Sequence, residues 1–325
     1  MPAVLKGRGK TVAIALFVVF LAVVPSLGNN YYTSVLIIIG IHTIVTVGLC
    51  LLMGYTGQVS LGQSTFYGLG AYIAAVLSTT YFVNPWLAML VAIVATTAFA
   101  IVIGFPIFRL RGNYLAMATL GLGIIFWIIF RELAGITGGP SGLPGVPSLS
   151  IAGFAFSSDF RFYYLVWGLC LAVMLISQNI VGSRMGRAMR AVRDSESAAQ
   201  SVGINTAMVK VKVLALSAAY AALAGSLFTY YLNFVSPQPF SFLFNIHLVV
   251  MAVVGGLASI WGAVFGAATV RVLTEFLHPF GNIDVVLFGL ILMVVMILTP
   301  QGVTQGLGDL WRALSARLPG RAQPG

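Results

Sequence analysis

The side chains able to do chemistry are few and scattered. Three histidines, His42, His247 and His278, stand far apart. No serine, cysteine or carboxylate falls beside them in a spacing that would make a nucleophile with its base, or a metal cage. Cys50 and Cys170 both sit inside apolar runs, where a thiol acts as a small hydrophobe. Arg271 and Glu275 are four residues apart, so on a helix they share a face and neutralise one another. An ionisable group inside an apolar span is a functional candidate by default, but His42 and His247 read as packed or hydrogen-bonded, and no carboxylate stands mid-span in the pattern of a proton relay. The chain is therefore expected to hold no catalytic residue, no metal and no cofactor. Whatever work it performs must draw its energy from elsewhere.

The medium these residues sit in explains their scarcity. Of 325 residues, 59% are hydrophobic and 7% charged, and the mean hydropathy is +1.01, whereas soluble domains carry about a quarter charged residues. This is the composition of a protein dissolved in a lipid bilayer. The net charge of +10 would suit nucleic acid only if it were gathered on one solvated face. Here the basic residues occupy short gaps between apolar runs, so nucleic acid is excluded as a partner. Ser60-Leu61-Gly62-Gln63 is similar to the end of a signature loop of transport ATPases, but that loop works opposite a GxxxxGK[ST] phosphate cradle. The sequence has none, and its four lysines all lie near polar ends.

Apolar runs predict an all-α polytopic protein of about ten transmembrane helices: 11–27, 31–53, a third ending near Thr80, 86–108, 113–130, 162–178, 213–232, two around a break at 255–267, and 284–298. The pair around the break can instead be re-entrant, giving eight full crossings. With both termini cytoplasmic, fourteen of the seventeen Lys and Arg fall on the inner side, which sets the orientation. Residues 1–325 then form a single transmembrane domain. It carries a cytoplasmic loop at 182–212 and an exterior Gly/Pro-rich loop at 132–161, the latter too rich in turn residues for helix or strand interiors.

Two stretches break this regularity. GYTGQVSLGQSTFYGLGAY (54–72) has too many glycines and polar side chains for a lipid-facing helix, and is expected to be a broken or interior-facing element. Its Gly57-x-x-Ser60 is echoed by Gly256-x-x-Ser259, and discontinuous helices are where transporters place their sites. Gln58, Ser60, Gln63, Thr119 and Ser259 are the candidate polar contacts of a translocation pathway, although helix–helix hydrogen bonding accounts for each equally well. The second stretch is the basic loop. There Asp194 can cap a short helix through Ala198 and Ala199, Gly203 can end it in the left-handed conformation, and Asn205 or Thr206 can cap the next span. Such a helix-turn-helix between spans is a handle for soluble machinery.

Five segments in order, 54–72, 109–123 (RLRGNYLAMATLGLG), 137–143 (TGGPSGL), 186–205 (GRAMRAVRDSESAAQSVGIN) and 253–267 (VVGGLASIWGAVFGA), resemble the LivM-type permease of branched-chain amino acid ABC importers across nearly the whole chain. The resemblance implies an ABC importer permease fold in the bacterial inner membrane that carries Leu, Ile or Val into the cytoplasm. It also implies partners: a LivH-like second permease, two cytoplasmic ABC ATPase subunits that bind the ATP and Mg, and an extracytoplasmic substrate-binding protein. Residues 186–205 would be the loop coupled to the ATPase, with Arg190, Asp194, Glu196, Ala198, Ala199 and Gly203 as its working residues. The family's Glu-Ala-Ala reads Ser197-Ala198-Ala199 here, with Glu196 displaced by one. Related permeases of urea or short amides share several of these segments, and a stand-alone secondary transporter is the rival of another class.

Overall fold

Tyr31 to Tyr55 is apolar and free of proline, and it folds as one rod. Helix α1 (Asn30–Leu49) runs on without a break into a π-helical turn, Cys50–Tyr55. The computed structural model describes residues 30–277 other than 111, 152, 153 and 157, together with 289, 290 and 293. The expected spans at 11–27 and 284–298 lie outside the described residues. Among the described residues the chain is mostly helical, and five helices are long and apolar enough to cross a membrane.

The other helices longer than four residues are α2 (Gln63–Thr79), α3 (Pro85–Ile107), α4 (Asn113–Glu132), α5 (Asp159–Gly182), α6 (Arg184–Asp194), α7 (Glu196–Ser201), α8 (Thr206–Leu232), α9 (Phe242–Gly255) and α10 (Gly262–Leu277), and a single turn, Ala134–Thr137, follows α4. Their ends follow local chemistry. Asn84 caps α3 by accepting from Trp86 N, with Pro85 at the first helical position, and α8 ends on Asn233 at φ +53. At about 1.5 Å per residue, the 27 residues of α8 reach about 40 Å, more than the hydrocarbon requires.

α8 is the axis. It packs on α1, α2 and α3, α5 lies along α1, and α9 and α10 pair with each other and against α1. The small residues that repeat every four positions on α8 bring it close to α2, as their spacing predicts. A Cβ at Gly70 would run into the backbone of Ala222, and one at Gly225 into the Tyr67 carbonyl. Ser226 Oγ donates across the seam to Gly70 O at 3.0 Å. The outer faces of α3 and α4 leave Leu87, Leu90, Val102, Ile125 and Ile128 exposed, an apolar surface suited to lipid or a partner helix.

One end of the bundle gathers the loops and the other the basic residues. At the loop end, two-residue strands β1 (Leu143–Pro144) and β4 (Phe234–Val235) pair antiparallel, as do β2 (Ser150–Ile151) and β3 (Phe154–Ala155). These bridges correct the expectation of a purely turn-built loop: glycines at positive φ, Gly142 and Gly145, flank β1 and let the chain reverse around it. Asn233 Nδ2 donates to Val146 O at 2.8 Å and Trp86 Nε1 to Ser150 O at 2.9 Å, tying 143–155 over the helix ends.

α9 and α10, with 14 and 16 residues, are each shorter than a usual span. Their hairpin nonetheless matches α1 end to end. Tyr31 Oη donates to Glu275 Oε1 at 2.8 Å near one end of α1, and Tyr55 Oη donates to Ala258 O at 2.7 Å at the other.

Candidate functional site

The basic end is built around two short helices. Ser183 caps α6 by accepting from Met185 N at 3.1 Å, and Gly186 fits the sharp turn from α5 because any Cβ there would run into Val181. Gly186, Met189 and Val192, three apart, bury one face of α6. The long arginines at 190 and 193 reach back into the bundle: Arg190 Nη1 donates to Val181 O at 3.2 Å and Arg193 Nη1 to Gly54 O at 3.0 Å.

Asp194 does not cap the short helix that follows. It is the last residue of α6, and Ser195, extended at φ −160 and ψ 114, caps α7 by accepting from Ala198 N at 3.3 Å. A serine directly before the helix has the shorter reach to that amide, so the aspartate is left at the surface beside Arg193, 3.4 Å away, a solvent-screened contact of small energetic weight. The other end forms as its sequence predicts. Gly203 takes φ +84 and Ile204 N closes onto Ala199 O at 3.0 Å. Asn205 then caps α8, accepting from Met208 N at 3.0 Å. Ser195→Ala is expected to loosen α7 by about 1 kcal/mol, read as a roughly five-fold faster amide exchange at Ala198 and Ala199; unchanged exchange would show that the cap carries no energy.

α7 has two faces. Ala198, Ser197, Val202 and Gly203 are exposed, whereas Ala199 is buried. Glu196 turns inward. Its Oε2 lies 2.8 Å from Nζ of Lys210, which is only 2% exposed, and its Oε1 accepts from Thr206 Oγ1 at 3.4 Å. Gln200 Nε2 donates to the same Thr206 hydroxyl at 2.9 Å. The short helix is thus bolted to the first turn and a half of α8.

The second element is the discontinuity after α1. From Thr56 to Gly62 the chain is not helical, with Gly57 at φ +70 packed on Arg193. Its backbone is satisfied by side chains from other helices, which a break at membrane depth requires. Leu61 N donates to Thr119 Oγ1 at 3.0 Å, and Ser64 N, an orphan amide at the start of α2, donates to Asn245 Oδ1 at 2.8 Å. Asn245 Nδ2 returns a bond to Ser64 Oγ at 2.6 Å. Gln63 Nε2 donates to Ser217 Oγ at 2.9 Å and to Ser217 O at 3.1 Å.

Of the five pathway candidates, Gln58, Ser60 and Thr119 come together around one small cavity of about 10 Å³, enough for about one water molecule. Ser60 Oγ has no partner there. Gln63 faces away, onto Ser217. Ser259 is elsewhere, in the turn between α9 and α10, where its Oγ accepts from Gly262 N at 2.9 Å. The two Gly-x-x-Ser stretches do share a backbone form: Gly57 and Gly256 both have positive φ, and the next helix begins six positions on, at Gln63 and at Gly262. The second of them touches the π-helical turn just before the first, since a Cβ at Gly54 would run into the Leu257 carbonyl. Residues missed by sequence reasoning are Arg193, Lys210, Ser217 and Asn245. Asn245, a lone amide in an apolar run, carried the signal that could have found it.

The family described as branched-chain amino acid transport system, permease component, matches residues 31–300. The chain belongs to that family. Its matched region covers every element described above. The permease is 31% identical over 322 residues to the high-affinity branched-chain amino acid transport system permease protein LivM of Salmonella typhimurium and to that of Escherichia coli, alignments that cover 91% of this chain and 76% of each relative. It is 27% identical to the permease protein BraD of Pseudomonas aeruginosa, over 81% of this chain and 91% of that one. No solved structure matches the permease. These relatives are transport permease components.

Proposed function

We propose that this permease is the passive translocation subunit of an ATP-driven importer for leucine, isoleucine and valine. The basic end faces the cytoplasm and the loop end the exterior, the orientation that puts most Lys and Arg inside; α9 and α10 then act as two crossings. The partners are a second, LivH-like permease, two cytoplasmic ATPase subunits that hold ATP and Mg, and an extracytoplasmic binding protein that delivers the substrate to the loop end.

The observation that carries this reading is the coupling hardware. An exposed small-residue helix, α7, is tied by the Glu196–Lys210 pair into α8, the central helix, and Arg193 on the adjoining helix reaches Gly54 at the start of the discontinuity. A push on α7 would reach both the axis and the broken element as rigid-body motion. Ala198 and Val202 on its open face are the ATPase contacts, and Glu196 and Ala199 are the internal support.

The test is reconstitution of the whole complex with its binding protein in proteoliposomes. Leucine uptake and leucine-stimulated ATP hydrolysis are expected in the native complex, with both reduced more than ten-fold by Ala198→Glu or Val202→Glu while the membrane subunits stay assembled. Undiminished uptake in both variants would remove α7 from the coupling role. Failure of Leu, Ile and Val to stimulate hydrolysis would remove the substrate assignment.

A further inference from the structure

The small cavity at the discontinuity is not the largest space in the bundle. A cavity of about 570 Å³ opens near the loop end between α1, α8, α9 and α10, within the range of small-molecule sites. Its polar lining includes Ser34, His42, Tyr231, Gln238, His247 and Arg271, and its apolar lining includes Ile38, Phe228, Leu243 and Phe244. The three ionisable groups came from separate stretches of sequence that gave no reason to expect them together. Two of them hold buried nitrogens with no partner, His42 Nδ1 and Arg271 Nε.

The charges are arranged in a polar order. Arg271 Nη2 is held 2.8 Å from Glu275 Oε2, and Tyr31 Oη fixes that carboxylate from the other side, so the guanidinium is oriented while its Nε is left over. Elsewhere in the lining, Ser34 Oγ donates to Asp159 Oδ2 at 3.2 Å and Tyr231 Oη to Asp159 Oδ1 at 3.4 Å. An acidic group thus stands behind the cavity's hydroxyls. A guanidinium, a pair of hydroxyls backed by a carboxylate and an apolar wall are the groups that a zwitterion with a branched apolar side chain needs. An unsatisfied guanidinium N–H away from water is costly, and a carboxylate is the acceptor that suits it best.

We propose that this cavity is the permease's own subsite for the free amino acid. The α-carboxylate accepts from Arg271 Nε–H and His42 Nδ1–H, the ammonium faces the Ser34–Tyr231–Asp159 side, and the side chain lies on Phe228, Leu243 and Phe244. The inference rests on the proposed function for the identity of the amino acid, but the carboxylate chemistry is the cavity's own. It also gives the membrane subunit a recognition step of its own, with Arg271 on α10 reading the carboxylate common to all amino acids and the apolar wall reading the side chain.

Direct binding to the assembled complex tests it, in phosphatidylcholine nanodiscs without binding protein and with radiolabelled L-leucine as probe. Saturable binding is expected, with competition by 4-methylpentanoate at least ten-fold stronger than by 3-methylbutylamine, which lacks the carboxylate. Arg271→Gln should weaken leucine binding at least ten-fold. Ile38→Trp, which fills the cavity without touching an ion pair, should do the same, and it carries the test if Arg271→Gln does not assemble. Equal leucine binding in native and Ile38→Trp complexes, or an amine that competes as well as the acid, overturns the proposal. So does a phosphatidylglycerol that co-purifies with the native complex, is lost in Arg271→Gln and leaves leucine binding unchanged, since the cavity would then be a lipid headgroup site. Binding-protein-dependent uptake is measured in parallel. Uptake present with cavity variants binding normally sinks this inference alone, whereas absent uptake of Leu, Ile and Val sinks the functional reading, and 4-methylpentanoate binding then decides the carboxylate site by itself.

Discussion

Glu196→Ala is expected to damage the assembled complex more than Lys210→Met does. The two residues form one ion pair at 2.8 Å, but they are not equally placed: Lys210 is 2% exposed, Glu196 30%. Removing the carboxylate strands an ammonium that water cannot reach, a loss of about 3 kcal/mol, the low end for a broken buried pair because one partner sits near the surface. Removing the ammonium leaves a carboxylate that can still find solvent and Thr206 Oγ1, about 1 kcal/mol by comparison. The double variant Glu196→Ala with Lys210→Met should therefore be more stable than Glu196→Ala alone. Thermal unfolding of the three variants reads the stability order, and the ratio of leucine transported to ATP hydrolysed reads the mechanical role. All three should hydrolyse ATP with less transport per turnover. Strictly additive losses would mean that the pair is not a unit, and an unchanged ratio would mean that α7 transmits force without this tie.

Gly70→Leu should prevent stable insertion of the subunit. A side chain there must displace the backbone of Ala222 on α8, not the flexible end of another side chain, so no rotamer change relieves it. Overpacking a close helix seam costs about 1–3 kcal/mol when side chains can adjust, and more is expected where backbone must separate and the Ser226–Gly70 hydrogen bond is lost. Gly225→Ala, blocked by the Tyr67 carbonyl from the other side of the seam, should behave likewise. Gly121→Ala and Gly168→Ala are the matched controls, because a methyl group at either position meets open space and a helical glycine replaced by alanine is stabilised by about 0.5–1 kcal/mol. Yield of folded subunit and midpoint of thermal unfolding should fall for the first pair and hold or rise for the second. If all four behaved alike, the seam would not be close-packed.

The parts that depend on periodicity and local chemistry were legible in the sequence. Apolar runs located α1, α3, α4 and α5 to within a few residues and the end of α8, whose start at Thr206 lies seven residues before the apolar run; the four-residue spacing of Ala218, Ala222 and Ser226 announced a close helix seam, and Gly203 announced the stop after α7. Hydroxyls and glycines between 54 and 72 announced a break. What sequence could not supply was which distant groups answer it. The amide that caps α2 comes from Asn245, 181 residues downstream of Ser64, and the ammonium that meets Glu196 stands in what reads as the exposed end of the basic loop but is buried as part of α8. The choice between Asp194 and Ser195 as cap was lost for a smaller reason: both are good capping residues, and only the extended backbone at Ser195 decides between them. The Arg271–Glu275 pairing was correctly anticipated, but a pair that neutralises one face of a guanidinium says nothing of the nitrogen left on the other.

The contact between Gly54 and Leu257 has a mechanical meaning. Gly54 in the π-helical turn that ends the α1 rod and Leu257 at the tip of the α9–α10 hairpin meet backbone to backbone, with no side chain between them to slide or flex. Such a joint resists shear while tolerating small rotations, as a knuckle does. Helices α1, α9 and α10 meet there and are tied again at the loop end by Tyr31 Oη and Glu275, so a tilt about that point would carry them together. A displacement delivered through Arg193, a few ångströms from the joint, would be magnified in proportion to the length of those helices by the time it reached the mouth of the larger cavity.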